Sequence, residues 1–175
     1  MAAGGGGEEA WEESEDLSAG SAQPCDQYDN LRFITVINLT RNFWRIDRST
    51  LVFSGKRPLG KKPLIDLPAM QALLRSGTFD LDRLWIATDK CSRDMENEEW
   101  STTDVLHMLA GLDATDYKKS EWCQVLGGDM VPCDVYVTPY DAQHQQRRPH
   151  GLDVYLKFSI DDAGQLTITM VSCHA

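Results

Sequence analysis

Tyr155 and Lys157 stand two residues apart in Leu152–Ile160 (LDVYLKFSI), a run that alternates apolar and polar residues. Side chains on a strand return to the same face every second residue, so the two share a face. An ammonium beside a phenol on an exposed face makes a phosphate-binding pair. Lys119 can add a second cation. His174 adds an imidazole, the side-chain type that exchanges protons near neutral pH. These residue types suit metal-free cleavage of a ribose phosphodiester. Such cleavage needs a base for the 2′-hydroxyl proton, cations for the charge building on phosphorus, and an acid for the leaving 5′-oxygen. Its products are a 2′,3′-cyclic phosphate and a 5′-hydroxyl end. Lys118, Tyr136, Arg147 and Arg148 are candidates for RNA contacts around that centre.

Each of these residues also has a plainer role open to it. A tyrosine in a meander strand packs its ring and leaves its hydroxyl at the surface. Lys119 at a helix end complements the helix dipole. His174, next to the last residue of the sequence, frays with the terminus. Tyr136 fits a core as well as a site. Arg147 and Arg148, with His150 close by, keep a loop soluble.

The elements that must position these groups are legible in outline. Asp66 caps a helix with Pro68 in its first turn and Gly77 beyond its end, and Met70, Leu73 and Leu74 give it one apolar face. Residues 80–90 read as a second helix with Leu81, Leu84 and Trp85 inward, and residues 91–99 as a polar loop. Ser101 and Asp104 form a capping arrangement before Val105, Leu106, Met108 and Leu109, and Gly111 stops that helix. Asp113 caps one further turn over residues 115–120. Val131–Thr138, Leu152–Ile160 and Leu166–Ser172 alternate as strands, with Asp161–Gln165 as the last hairpin turn. Leu31–Leu39 reads as an earlier strand, with Phe43–Ile46 and Thr50–Phe53 as further extended pieces. The order predicts an α+β fold with helices on one face of an antiparallel sheet.

Charge divides the 175 residues into three parts. Residues 1–31 carry eight acids and no lysine or arginine, and residues 32–62 carry eight bases against Asp47. The remainder is acidic again, for a net charge of −10. Residues 1–30, Gly- and Glu-rich, bury too little apolar surface to order themselves and read as a disordered acidic tail. Residues 31–62 form a basic extension with strands, and 63–175 the main domain. A polyanion would meet one basic stretch rather than a basic protein. No run of 18 apolar residues predicts a membrane helix. The N-terminus lacks the basic and apolar regions of a secretory signal. Five cysteines without a CxxC pair read as free thiols of a reducing compartment, which places the protein in the cytoplasm. Four histidines without metal-ligand spacing predict neither metal nor cofactor. No P-loop, GxGxxG or GxSxG motif points to other chemistry.

From about Leu64 onward the order of short motifs resembles the MqsR family of ribonuclease toxins. A helix ends in Leu74-Arg75-Ser76-Gly77, and another closes with Leu109-Ala110-Gly111-Leu112. Thr115-Asp116-Tyr117-Lys118-Lys119-Ser120 follows, then Asp134-Val135-Tyr136, and finally Val154-Tyr155-Leu156-Lys157. The resemblance covers about two-thirds of the chain and leaves out residues 1–60. It implies a RelE-like fold, mRNA cleavage without a metal, and silencing by an antitoxin-like protein partner. It gives Lys119, Tyr155 and Lys157 the places of family site residues. The chain departs from the pattern at Cys133, where the family has Gln. It departs again at the final strand, where the family's Lys is matched by His174 or, in another register, Val171. The alternative expectation is a catalytically inactive module of the same fold that binds protein or RNA.

Overall fold

Asp66 and Pro68 open a helix in the computed structural model, which describes residues 43–161 and 166–175. The Asp66 carboxylate accepts the Ala69 amide at 3.2 Å, and Pro68 sits where a helix amide has no partner to lose. This helix, α1, spans Leu67–Arg75 and turns Leu67 and Met70 to the core. The helix α3 (Thr102–Gly111) starts on the expected capping box, in which Ser101 and Asp104 each accept the other's backbone amide.

Three stretches differ from the sequence expectation. The helix expected over 80–90 is a 3₁₀ turn at Leu81–Arg83 followed by a strand, β2 (Leu84–Ile86). Leu84 is buried while Leu81 and Trp85 are 45% and 43% exposed, so these apolar residues never share a helical face. The loop expected over 91–99 is helical instead: α2 spans Asp89–Asn97 and is capped by Thr88. Only Cys91 and Met95, one turn apart, need to face the core, so a polar sequence suffices. The turn expected over 115–120 ends at Asp116, and β3 (Tyr117–Gln124) begins at once. Lys119 therefore stands on a strand and not at a helix end. Of the earlier extended pieces, Trp44 bridges to Ile65, while residues 50–53 pair with no strand. The expected strand at 31–39 and the acidic tail lie outside the described residues.

The remaining strands are β1 (Pro58–Gly60), β4 (Met130–Asp141), β5 (Gln146–Arg147), β6 (Leu152–Asp161) and β7 (Thr167–His174). They form one sheet in the order β1-β3-β4-β6-β7-β2, with β5 beside β4. Every pair is antiparallel except β2 with β7, which corrects the purely antiparallel expectation. Two helices and the meander separate β2 from β7 in the chain, and a connection of that length permits a parallel pairing. Met70, Met95, Val105, Met108 and Leu109 of the helices share one core with Tyr136, Leu156, Phe158 and Met170 of the strands. The fold is α+β, with the helices on one face. Phe43 and Trp44 join the same core. The buried Asp134 carboxylate holds the following segment in place, accepting the Leu64 amide at 3.0 Å, the Ile65 amide at 2.9 Å and the Ser120 hydroxyl at 2.5 Å.

The other face carries no described helix yet is buried at its centre. Four strand spacings separate β3 from β2, roughly 19 Å across a flat sheet. The amide of Leu126, just past β3, nevertheless donates to the carbonyl of Ala87, just past β2, at 2.8 Å. The sheet must curl to make that bond, which turns this face inward. The side chains there are small, and Ala87, Cys123, Cys133, Val135, Ser159 and Thr169 are all buried.

Candidate functional site

Two bulges decide which side chains reach the concave face. In β3 the register slips at Lys118: Tyr117 pairs with Tyr136, but Lys119 pairs with Val135. The extra residue leaves Tyr117 on the helix side and turns Lys119 and Glu121 to the concave side. In β7 the slip falls at Val171: Met170 pairs with Phe158, but Ser172 pairs with Lys157. Ser172 and His174 then face the concave side, and Cys173 falls into the core. The bulge thus places His174, and not Val171, opposite Tyr155.

The result is a strip of side chains from β3, β6 and β7 that crosses the intervening β4. Glu121 lies between two lysines, its Oε2 at 2.7 Å from Lys119 Nζ and its Oε1 at 2.7 Å from Lys157 Nζ. Lys157 Nζ lies 5.7 Å from the centre of the Tyr155 ring. Tyr155 in turn stacks on His174, with ring centres 4.9 Å apart and planes 17° apart. His174 Nδ1 is 3.2 Å from the Ala175 carbonyl oxygen. The Lys119 side chain is half exposed, and those of Lys157 and Glu121 are largely covered, at 19% and 14%.

The charges of the strip sustain one another. Burial works against ionisation of Glu121, but hydrogen bonds from Lys119 and Lys157 outweigh it and hold the carboxyl below its ordinary range. Burial likewise opposes the Lys157 charge, but the bond to Glu121 together with the charges of Cys123, Tyr155 and Glu121 outweighs it, so this ammonium holds its proton more tightly than a free lysine. Near Lys157 lie Cys123 and Cys133, on adjacent strands, their thiols 3.7 Å from the Glu121 and Val131 carbonyl oxygens. The neighbouring Cys133 thiol, with the charge of Lys157, draws the Cys123 thiol below its usual range. Burial pushes the Cys133 thiol well up.

Of the residues singled out in the sequence, Lys119, Tyr155, Lys157 and His174 are brought together. The others are not. Tyr136 lies in the helix-side core, 1% exposed, stacked on Phe158 at 5.6 Å. Burial pushes its hydroxyl far above the ordinary range, and its ring packs rather than meets a ligand. Arg147, on β5, forks onto Asp116 at 2.9 and 3.1 Å, tying β5 to the turn before β3. Arg148 pairs with Asp141 at 3.2 Å, at the far end of β4. Lys118 is exposed at the bulge.

The residue that sequence reasoning missed is Glu121. Its signal was the spacing Lys119-x-Glu121-x-Cys123, a period of two hidden behind an expected turn. Among the described residues no group of three or more His, Cys, Asp or Glu side chains is placed to hold a metal ion, and no helix is long and apolar enough to cross a membrane. The chain matches no family model, no curated protein and no solved structure.

Proposed function

We propose that the strip cleaves single-stranded RNA without a metal, in the manner of the MqsR-type toxins whose motif order the chain resembles. The observation that carries this reading is Glu121 held between Lys119 and Lys157, beside the stacked pair of Tyr155 and His174. A phosphate entering the strip takes over the two ammoniums, which then bear on the charge building at phosphorus. Their release of Glu121 leaves a carboxylate to accept the 2′-hydroxyl proton. The 2′-oxygen attacks phosphorus, the bond to the 5′-oxygen breaks, and His174 gives that oxygen its proton. Tyr155 orients the ribose. The reading also entails an antitoxin-like protein that covers the strip, and a cytoplasmic site of action.

One observation favours a second reading. Glu121 already engages both lysines, as in a module that recognises RNA or protein without cutting it. Incubation of the full chain with RNA in EDTA, followed by mapping of the ends, separates the two. Cleavage with cyclic-phosphate ends is expected, falling about 100-fold or more in Lys119→Ala, Glu121→Gln or Tyr155→Phe. Bound but uncut RNA would leave only the module.

A further inference from the structure

Eight of the fifteen described lysines and arginines meet a carboxylate or a carbonyl, while Arg45 and Arg83, both off the β1 edge, have no carboxylate contact. Arg48, Lys90, Lys119, Arg147, Arg148 and Lys157 each meet a carboxylate. Arg75 and Arg93 donate to backbone carbonyls. Along the β1 edge the pattern changes. Lys56, Arg57, Lys61 and Lys62 flank or follow Pro58–Gly60, all four are exposed, and among the described residues none meets a carboxylate. Lys118, exposed at the neighbouring bulge, is also without one. In a chain with 27 acids and 17 bases, acidic partners are plentiful, so a cluster of unneutralised cations is not what chance placement gives.

The position of this edge matters as much as its charge. β1 pairs with β3, with Pro58 opposite Glu121 and Gly60 opposite Ser120. The Arg57 carbonyl accepts the Trp122 amide at 2.6 Å, and the Arg57 charge is felt at Cys123 on the concave face. The unpaired cations therefore begin one strand away from Lys119 and Glu121. Lys56 to Lys62 covers at most about 20 Å of extended chain, room for several successive phosphates.

We infer that the β1 edge is a track for the phosphates flanking the scissile one, so that a single-stranded RNA runs along Lys56, Arg57, Lys61 and Lys62 into the strip. This rests on the reading of the strip as an RNA site. A carboxylate-free row of cations fits a polyanion and gives no base readout, so the track adds affinity and salt dependence without sequence preference.

The experiment measures binding of a fluorescent 12-nucleotide RNA to the full chain by anisotropy across a series of salt concentrations. The same protein is also assayed for cleavage of a dinucleoside monophosphate, which is short enough to occupy the strip alone. The comparison variant carries Lys56→Gln, Arg57→Gln, Lys61→Gln and Lys62→Gln, all at exposed positions. Its plot of log affinity against log salt is expected to flatten by about three units, at roughly 0.7 per lost phosphate contact. Turnover of the dinucleoside monophosphate should stay within about twofold of the parent chain. An unchanged slope overturns the track, and so does an equal loss on the short substrate, which would place these residues at the strip. A parent chain that binds the 12-mer with the steep slope but never cuts it keeps the track and ends the nuclease reading alone.

Discussion

The two faces of the sheet are built from the same strands and do opposite work. On the helix side β6 presents Val154, Leu156, Phe158 and Ile160, all buried in the common core. On the concave side the intervening residues of the same strand are Tyr155, Lys157 and Ser159. The cysteines measure the difference. Cys91 and Cys173 lie in the helix-side core, where burial pushes the Cys91 thiol up to about 11 and that of Cys173 further still. On the concave side the two thiols split: Cys123 is drawn down beside Cys133 and Lys157, while burial pushes Cys133 well up. A thiol in apolar packing is inert, and one beside a polar partner and a cation is not. One face spends its side chains on cohesion and thereby frees the other to gather charge.

The largest effect that would break this contrast concerns the aromatic rings. Phe158→Ala should cost about 3–5 kcal/mol in urea unfolding, as a large core side chain does. Tyr155→Phe, one face away, should cost less than about 0.5 kcal/mol. Equal losses would erase the distinction between the faces. Next comes Asp134→Ala, which strands the Leu64 and Ile65 amides without an acceptor and leaves the Ser120 hydroxyl only its Lys62 carbonyl and Tyr117 partners. A loss of about 3 kcal/mol is expected. A loss under 1 kcal/mol would mean that segment 63–65 is held by packing alone.

The concave face should show itself through pH. Glu121 is depressed below its reference value of 4.5, so it binds fewer protons folded than unfolded at mildly acid pH. Its contribution is complete above that value and disappears as pH falls through the lower, folded-state value. The stability difference between the parent chain and Glu121→Gln should therefore be steady from pH 6 to 8 and shrink below about pH 4.5. A difference as large at pH 3 as at pH 7 would contradict the pairing with the two lysines. The smallest effect is one of reactivity. Under native conditions a maleimide should label Cys123 ahead of Cys91 and Cys173, as read by peptide mapping. Labelling of Cys91 first would reverse the contrast drawn between the faces.

Caps and alternation were the readable part of the sequence. Asp66, Pro68, Ser101 and Asp104 act within one turn, and each starts its helix where its type requires. The alternation of LDVYLKFSI placed Tyr155 and Lys157 on one face because a strand's period is fixed by its backbone. Three residues of β2 were too few for a period, and the LxxLW spacing imitated a helix. The two slots of α2, Cys91 and Met95, were too narrow a stripe to stand out from a polar segment.

What the chain determined by itself was local: helix starts, strand periods, the acidic and basic blocks, and the shared face of one tyrosine and one lysine. What only the tertiary structure decided was the meeting of Glu121 with Lys119 and Lys157, the turning of His174 rather than Val171 toward Tyr155, and the curl that joins Leu126 to Ala87. The physical reason lies in the bulges at Lys118 and Val171. One extra residue in a strand reverses the face of everything beyond it, and whether that residue is extra depends on the partner strand, not on the residues beside it.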